Sequence, residues 1–115
     1  MIIIVGFTHS DRANDYSSFM DGWRDGAKQT THTLTVPDNP AVTGLEWAEA
    51  VFVATNIPGG EEYPGVAEVR QAMQPWDHVP DGWRSLSKGD TVTVDGQMYA
   101  CASSGWEPVT PTVQS

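Results

Sequence analysis

Apolar residues run unbroken from Ile2 to Val5, alternate with threonines from Thr31 to Val36, recur at helical spacing from Leu45 to Thr55 and from Val66 to Met73, and alternate again from Thr91 to Cys101. Each change of period predicts a change of element. The run Ile2-Ile3-Ile4-Val5-Gly6-Phe7 is β-branched and of strand length, the pattern of a central strand buried on both faces. Gln29 to Val36 places Thr31, Thr33 and Thr35 on one face and His32, Leu34 and Val36 on the other, a half-buried strand that Pro37 stops.

Thr43-Gly44-Leu45-Glu46 has the form of a capping box, so a helix is expected to start there and run to about Asn56. On its wheel Leu45, Ala48, Val51, Phe52 and Thr55 share a face, extended by Trp47 and Ala54, with Glu46 and Glu49 on the solvated side. Pro58-Gly59-Gly60 ends it, and Val66, Val69 and Met73 predict a second helix of about two turns before Pro75. Residues from Trp76 to Trp83 read as an irregular linker.

The C-terminal pattern is the most informative. Asp95-Gly96 between two β-rich runs signals a two-residue type I′ hairpin of Thr91 to Val94 and Gln97 to Cys101. That turn sets Val94 opposite Gln97, Val92 opposite Tyr99 and Asp90 opposite Cys101, so Val92, Val94, Tyr99 and Cys101 share the face expected against the core. Thr91, Thr93, Met98 and Ala100 take the other. The fold predicted is α+β: a small mixed or antiparallel sheet of the N-terminal strand, the second strand and the hairpin, with one main amphipathic helix and a short second one. Residues 1–107 form the single domain, and 108–115, with Pro108 and Pro111, are expected as a flexible tail.

Composition narrows the function. The 15 acidic against 6 basic residues give a formal net charge of -9, which opposes sequence-independent binding to phosphate backbones, a process driven by cationic side chains. The single cysteine rules out an internal disulfide, and the apolar N-terminal run is too short to span a bilayer, so a soluble, cytoplasmic protein is expected. Gly6 is followed by no second spaced glycine and no Gly-Lys-Ser/Thr, which removes the phosphate-loop reading. Between His9 and Lys28 the acids Asp11, Asp15, Asp21 and Asp25 lie among Tyr16, Phe19, Met20 and Trp23. They lack the calcium-loop spacing, so the segment reads as a solvated loop or a short helix around Ser17 to Trp23 that docks its aromatics. No cofactor or metal motif is present.

From Arg84 to Trp106 the chain reads Arg-Ser-Leu-Ser-x-Gly-Asp-x-Val-x-Val-x-Gly-x-x-Tyr-x-Cys-x-Ser-x-Gly-Trp. This resembles the C-terminal signature of small proteins of actinobacteria, their phages and plasmids, and is similar to the YodL-like module of mobile elements. The resemblance implies a phage or plasmid source and an accessory role.

Three functions of different classes remain. The first is a non-enzymatic accessory protein that binds a host or element-encoded protein, supported by five tryptophans in a small chain and by the lack of a catalytic set. The second is an acidic mimic that occupies a nucleic-acid-binding groove on a host protein. The third, an enzyme, requires His9, His32, His78 and Cys101 to converge with a carboxylate. For the first, the expected partner surface lies at the open end of the hairpin, where Trp83, Arg84, Ser85, Ser87 and Lys88 approach Trp106.

Overall fold

The computed structural model describes residues 1–9, 17, 21–24, 26–74 and 85–110. Strands β1 (Ile2–Thr8), β2 (Gln29–Thr35), β3 (Thr91–Val94), β4 (Gln97–Cys101) and β5 (Trp106–Val109) form one sheet in the order β2-β1-β3-β4-β5. Every neighbouring pair is antiparallel. Helices α1 (Gly44–Asn56) and α2 (Val66–Met73) complete an α+β fold. Among the described residues no helix is long and apolar enough to cross a membrane.

The hairpin register follows its turn. Val94 faces Gln97 and Val92 faces Tyr99, with Asp95 at φ 50° and Gly96 at φ 84° as a type I′ turn requires. Val92 and Val94 are buried with Ile3, Val5, Phe7 and Leu34 in the core, and Tyr99 packs against them. The strand β1 departs from expectation. It lies inside the sheet, next to the edge strand β2 and not at the middle, and its outward residues Ile2 and Ile4 are 56% and 38% exposed. Burial on both faces is reached only at its other end, at Gly6 and Thr8.

Helix α1 begins with the expected capping box: the Glu46 amide donates to Thr43 Oγ1 at 3.2 Å and the Thr43 amide donates to Glu46 Oε1 at 2.9 Å. Its buried residues are Trp47, Ala48, Ala50, Val51 and Val53, whereas Leu45 is 50% exposed. The burial extends past a single stripe because a second helix packs on α1. Gly65, at φ 85°, precedes α2, and a Cβ there would lie 2.9 Å from the Trp47 ring and 3.2 Å from Ala50 Cβ. Only glycine has both the left-handed backbone and the space, so α2 settles onto Trp47 and buries Val66 and Val69.

The fifth strand is absent from the sequence reading. Trp106–Val109 pairs with β4, Trp106 opposite Cys101 and Pro108 opposite Tyr99, so the expected tail from Pro108 begins as sheet. Proline is admissible because β5 is an edge and its missing N–H can face outward. The linker from Trp76 to Trp83 lies outside the described residues, as do residues 18–20 of the expected helix around Ser17 to Trp23. Within that stretch the Asp21 amide donates to the Ser17 carbonyl at 2.7 Å.

One turn locks the hairpin onto β1. In Ser87-Lys88-Gly89-Asp90 the Asp90 amide donates to the Ser87 carbonyl, the Gly89 amide to the Cys101 carbonyl, and the Cys101 amide to the Asp90 carbonyl. With Gly89 at φ 94°, two residues oppose one: this is a glycine β-bulge closing a tight turn. The bulge aims the Asp90 side chain back at β1. Its Oδ1 accepts from the Thr8 amide at 2.9 Å and its Oδ2 from the Ser87 amide at 2.9 Å, while Thr8 Oγ1 donates to the Gly89 carbonyl at 2.7 Å. Asp90 is 0% exposed.

Truncating this carboxylate strands buried donors. Asp90→Ala is expected to cost about 2–4 kcal/mol in urea unfolding. Asp90→Asn, which keeps one acceptor oxygen, should fall between that variant and the parent.

Candidate functional site

The open end of the hairpin, where β3 begins and β4 ends, holds the polar groups singled out from the sequence. Ser85 Oγ donates to the Thr55 carbonyl at 2.8 Å, Asn56 Nδ2 donates to the Leu86 carbonyl at 3.0 Å, and Leu86 is buried. These bonds give the last turn of α1 partners it would otherwise lack. Ser87 donates through its amide and its hydroxyl to Asp90 Oδ2. Ser85 is thus tied to the end of α1 and Ser87 is built into the turn. Trp83 and Arg84 lie outside the described residues.

Lys88 and Trp106 part company across the sheet. Trp106, opposite Cys101, points to the helix side, packs against the core and donates from Nε1 to Glu49 Oε2 at 2.9 Å. Lys88 instead lines a hollow of about 370 Å³ with Asp21, Trp23, Ser103, Ser104 and Glu107. Ala100, Glu107 and Val109, which floor it, belong to the outward face by strand parity. Lys88 and the Ser103-Ser104 turn are therefore brought together as expected, and Trp106 is not. Trp23 and Glu107 are additions. The signal for Trp23 was its place among docking aromatics; Glu107 required the unforeseen strand β5.

A second hollow of about 460 Å³ lies at the turn end of the hairpin, lined by Met1, Asp38, Asn39, Trp47, Asp95 and Gln97 among others. Its one cation among the described residues, the Met1 amine, is paired with Asp38 at 3.1 Å and donates to the Val36 carbonyl.

Among the described residues, those the enzyme reading requires do not converge. His9 is exposed, with Nε2 2.6 Å from Thr30 Oγ1. His32 packs edge to face on Phe7, ring centres 5.9 Å apart. Along the register His32 faces Val5, Val5 faces Val92 and Val92 faces Tyr99, so three strand spacings, roughly 14 Å, separate His32 from the strand that bears Cys101. His78 lies outside the described residues. Cys101 is 7% exposed, and burial first, then the charges of Asp90 and Glu49, push its thiol up to about 11. A thiol so held is a poor nucleophile at neutral pH. Among the described residues no cluster of His, Cys, Asp and Glu is placed to hold a metal ion. No family model matches the sequence, and no curated protein or solved structure matches it.

The Cys101 environment has a measurable sign. The folded chain keeps the thiol proton up to about 11, while the unfolded chain releases it near the usual thiol value of about 8.5. Between those values the unfolded state binds fewer protons, so stability falls as pH rises. Urea midpoints across this interval should drop less for Cys101→Ala than for the parent, and the native thiol should react slowly with a thiol reagent.

Proposed function

We propose that the protein is a non-enzymatic accessory protein of a phage or plasmid that acts by binding another protein, host or element-encoded, at the open end of its hairpin. The observation that carries this reading is the composition of the Lys88 hollow: an aromatic ring and a carboxylate from the segment between β1 and β2 meet an ammonium, two hydroxyl groups and a second carboxylate from the hairpin end and β5. Tryptophan with a cation is a common hot-spot pairing, and loops fixed by a sheet are common binding elements. Cys101 also lines the hollow, with its thiol pushed up to about 11. The setting in a mobile element rests on the resemblance of the Arg84 to Trp106 signature, and the exclusion of direct nucleic-acid binding rests on the charge of -9.

Affinity capture from host lysate with parent, Lys88→Ala and Trp23→Ala proteins in parallel, followed by calorimetric titration of the protein recovered, tests the site. Each substitution is expected to weaken the complex by about 1–2 kcal/mol, with Lys88→Ala leaving the melting temperature nearly unchanged. Undiminished affinity of both folded variants would remove this hollow as the binding surface.

A further inference from the structure

The two edges of the sheet are treated differently. On β5, Pro108 removes a donor and Glu107 adds charge, the usual means of keeping a foreign strand away. β2 has neither. From Gln29 to Val36 the chain contains no proline and no Asp, Glu, Lys or Arg, within a protein of net charge -9.

The register says which groups that edge offers. Met1 and Val36 exchange both backbone hydrogen bonds, and the His9 amide donates to the Lys28 carbonyl. Bonded pairs therefore alternate as Met1 with Val36, Ile3 with Leu34, Val5 with His32, Phe7 with Thr30 and His9 with Lys28. The residues between them, Thr31, Thr33 and Thr35, turn their N–H and C=O groups away from β1. All three are exposed, and none has a hydrogen-bond partner on that side among the described residues.

We propose that this edge pairs with the same edge of a second copy, joining two sheets antiparallel about a two-fold axis through Thr33. In that register Thr33 faces Thr33 of the second copy and Thr31 faces its Thr35. All the outward groups of the three threonines then meet bonded partners, because each such pair joins residues whose groups point outward. The threonine side chains form a cross-strand ladder on one face. Beyond the strand, the same register carries Lys28 of each copy toward Asp38 of the other. Lys28 is exposed, and the Asp38 side chain, paired through Oδ1 with the Met1 amine of its own chain, is still 88% exposed, so opposite charges flank a neutral strip twice. Pro37, lacking a donor, ends the ladder. This self-complementarity is what a two-fold interface requires and selects a second copy over a foreign strand.

Sedimentation equilibrium of the full chain tests it. The parent should show a concentration-dependent monomer–dimer equilibrium, and amide exchange at Thr31, Thr33 and Thr35 should slow as the dimer fills. Thr33→Lys, which sets two ammonium groups against each other at the axis, should raise the dimer Kd at least about a hundredfold. Lys28→Asp and Asp38→Lys should each raise it about tenfold, since two exposed pairs are lost at once, and the double variant should restore it. These two sites lie off the strand, so they report even where Thr33→Lys fails to fold. A parent that stays monomeric up to its solubility limit would overturn the proposal. So would a dimer indifferent to Thr33→Lys, or a charge reversal without rescue.

Discussion

The Asp90 carboxylate is the point on which the sheet closes. Past Gly6 opposite Thr91 the ladder between β1 and β3 runs out of backbone acceptors, and the next inward donor is the Thr8 amide. Asp90 supplies a side-chain oxygen in place of the missing carbonyl. Its second oxygen holds the Ser87 amide, so one buried group fixes both the end of β1 and the entry to β3. A charge taken out of water is tolerable only when its lone pairs are filled. The bulge at Gly89 meets that condition by turning the side chain inward. Around this node Gln29 Nε2 donates to both Thr8 Oγ1 and Thr91 Oγ1, passing over Gly6, where a Cβ would lie 2.6 Å from Thr91 Oγ1. Three strands are thereby stitched on the outward face by groups that carry no net hydrophobic burial.

Seen this way, most of the Arg84 to Trp106 signature is architecture. Ser87, Gly89 and Asp90 make the turn and bulge, Asp95 and Gly96 the hairpin loop, and Cys101 fills the inward face. Trp106 ties β5 to α1 through Glu49. Tyr99 lies against Gly44, where a Cβ would come within 2.6 Å of its hydroxyl oxygen. Lys88, Ser103 and Ser104 line the hollow.

How much could be read in advance follows from where the determinants are local. The hairpin register was legible because an Asp-Gly turn dictates every opposed pair after it, and the start of α1 because Thr43 and Glu46 cap it within a single turn. What depends on distant partners was not legible. The wheel put Leu45 inside and treated Trp47 as marginal, since a helix buried on two sides has no clean period, and the second side is created by α2 settling at Gly65. An apolar run does not tell a strand covered on both faces from one with a bare outer end, which is why Ile2 and Ile4 were misplaced. Strand β5 was hidden by Pro108, and with it the parity that turns Trp106 away from Lys88. The candidate site was therefore half legible: the hairpin brought Lys88 to Ser103 and Ser104, but Trp106 needed a strand that the proline concealed.

The placement of charge separates two surfaces by their physics. The Lys88 hollow lies at the β4–β5 side of the sheet among Asp21 and Glu107, a mixed-charge surface suited to a partner recognised through polar contacts. The opposite edge, β2, is neutral and offers backbone groups instead of side chains. Long-range repulsion between chains of net charge -9 opposes most encounters between copies, and it is weakest in effect where a contact is short, uncharged and directional. An edge of that kind is the place on such a chain where self-association can be selective. Because three strands lie between β2 and β5, occupation of one surface leaves the other geometrically open, so pairing at β2 would present two copies of the hollow to a partner at a fixed separation.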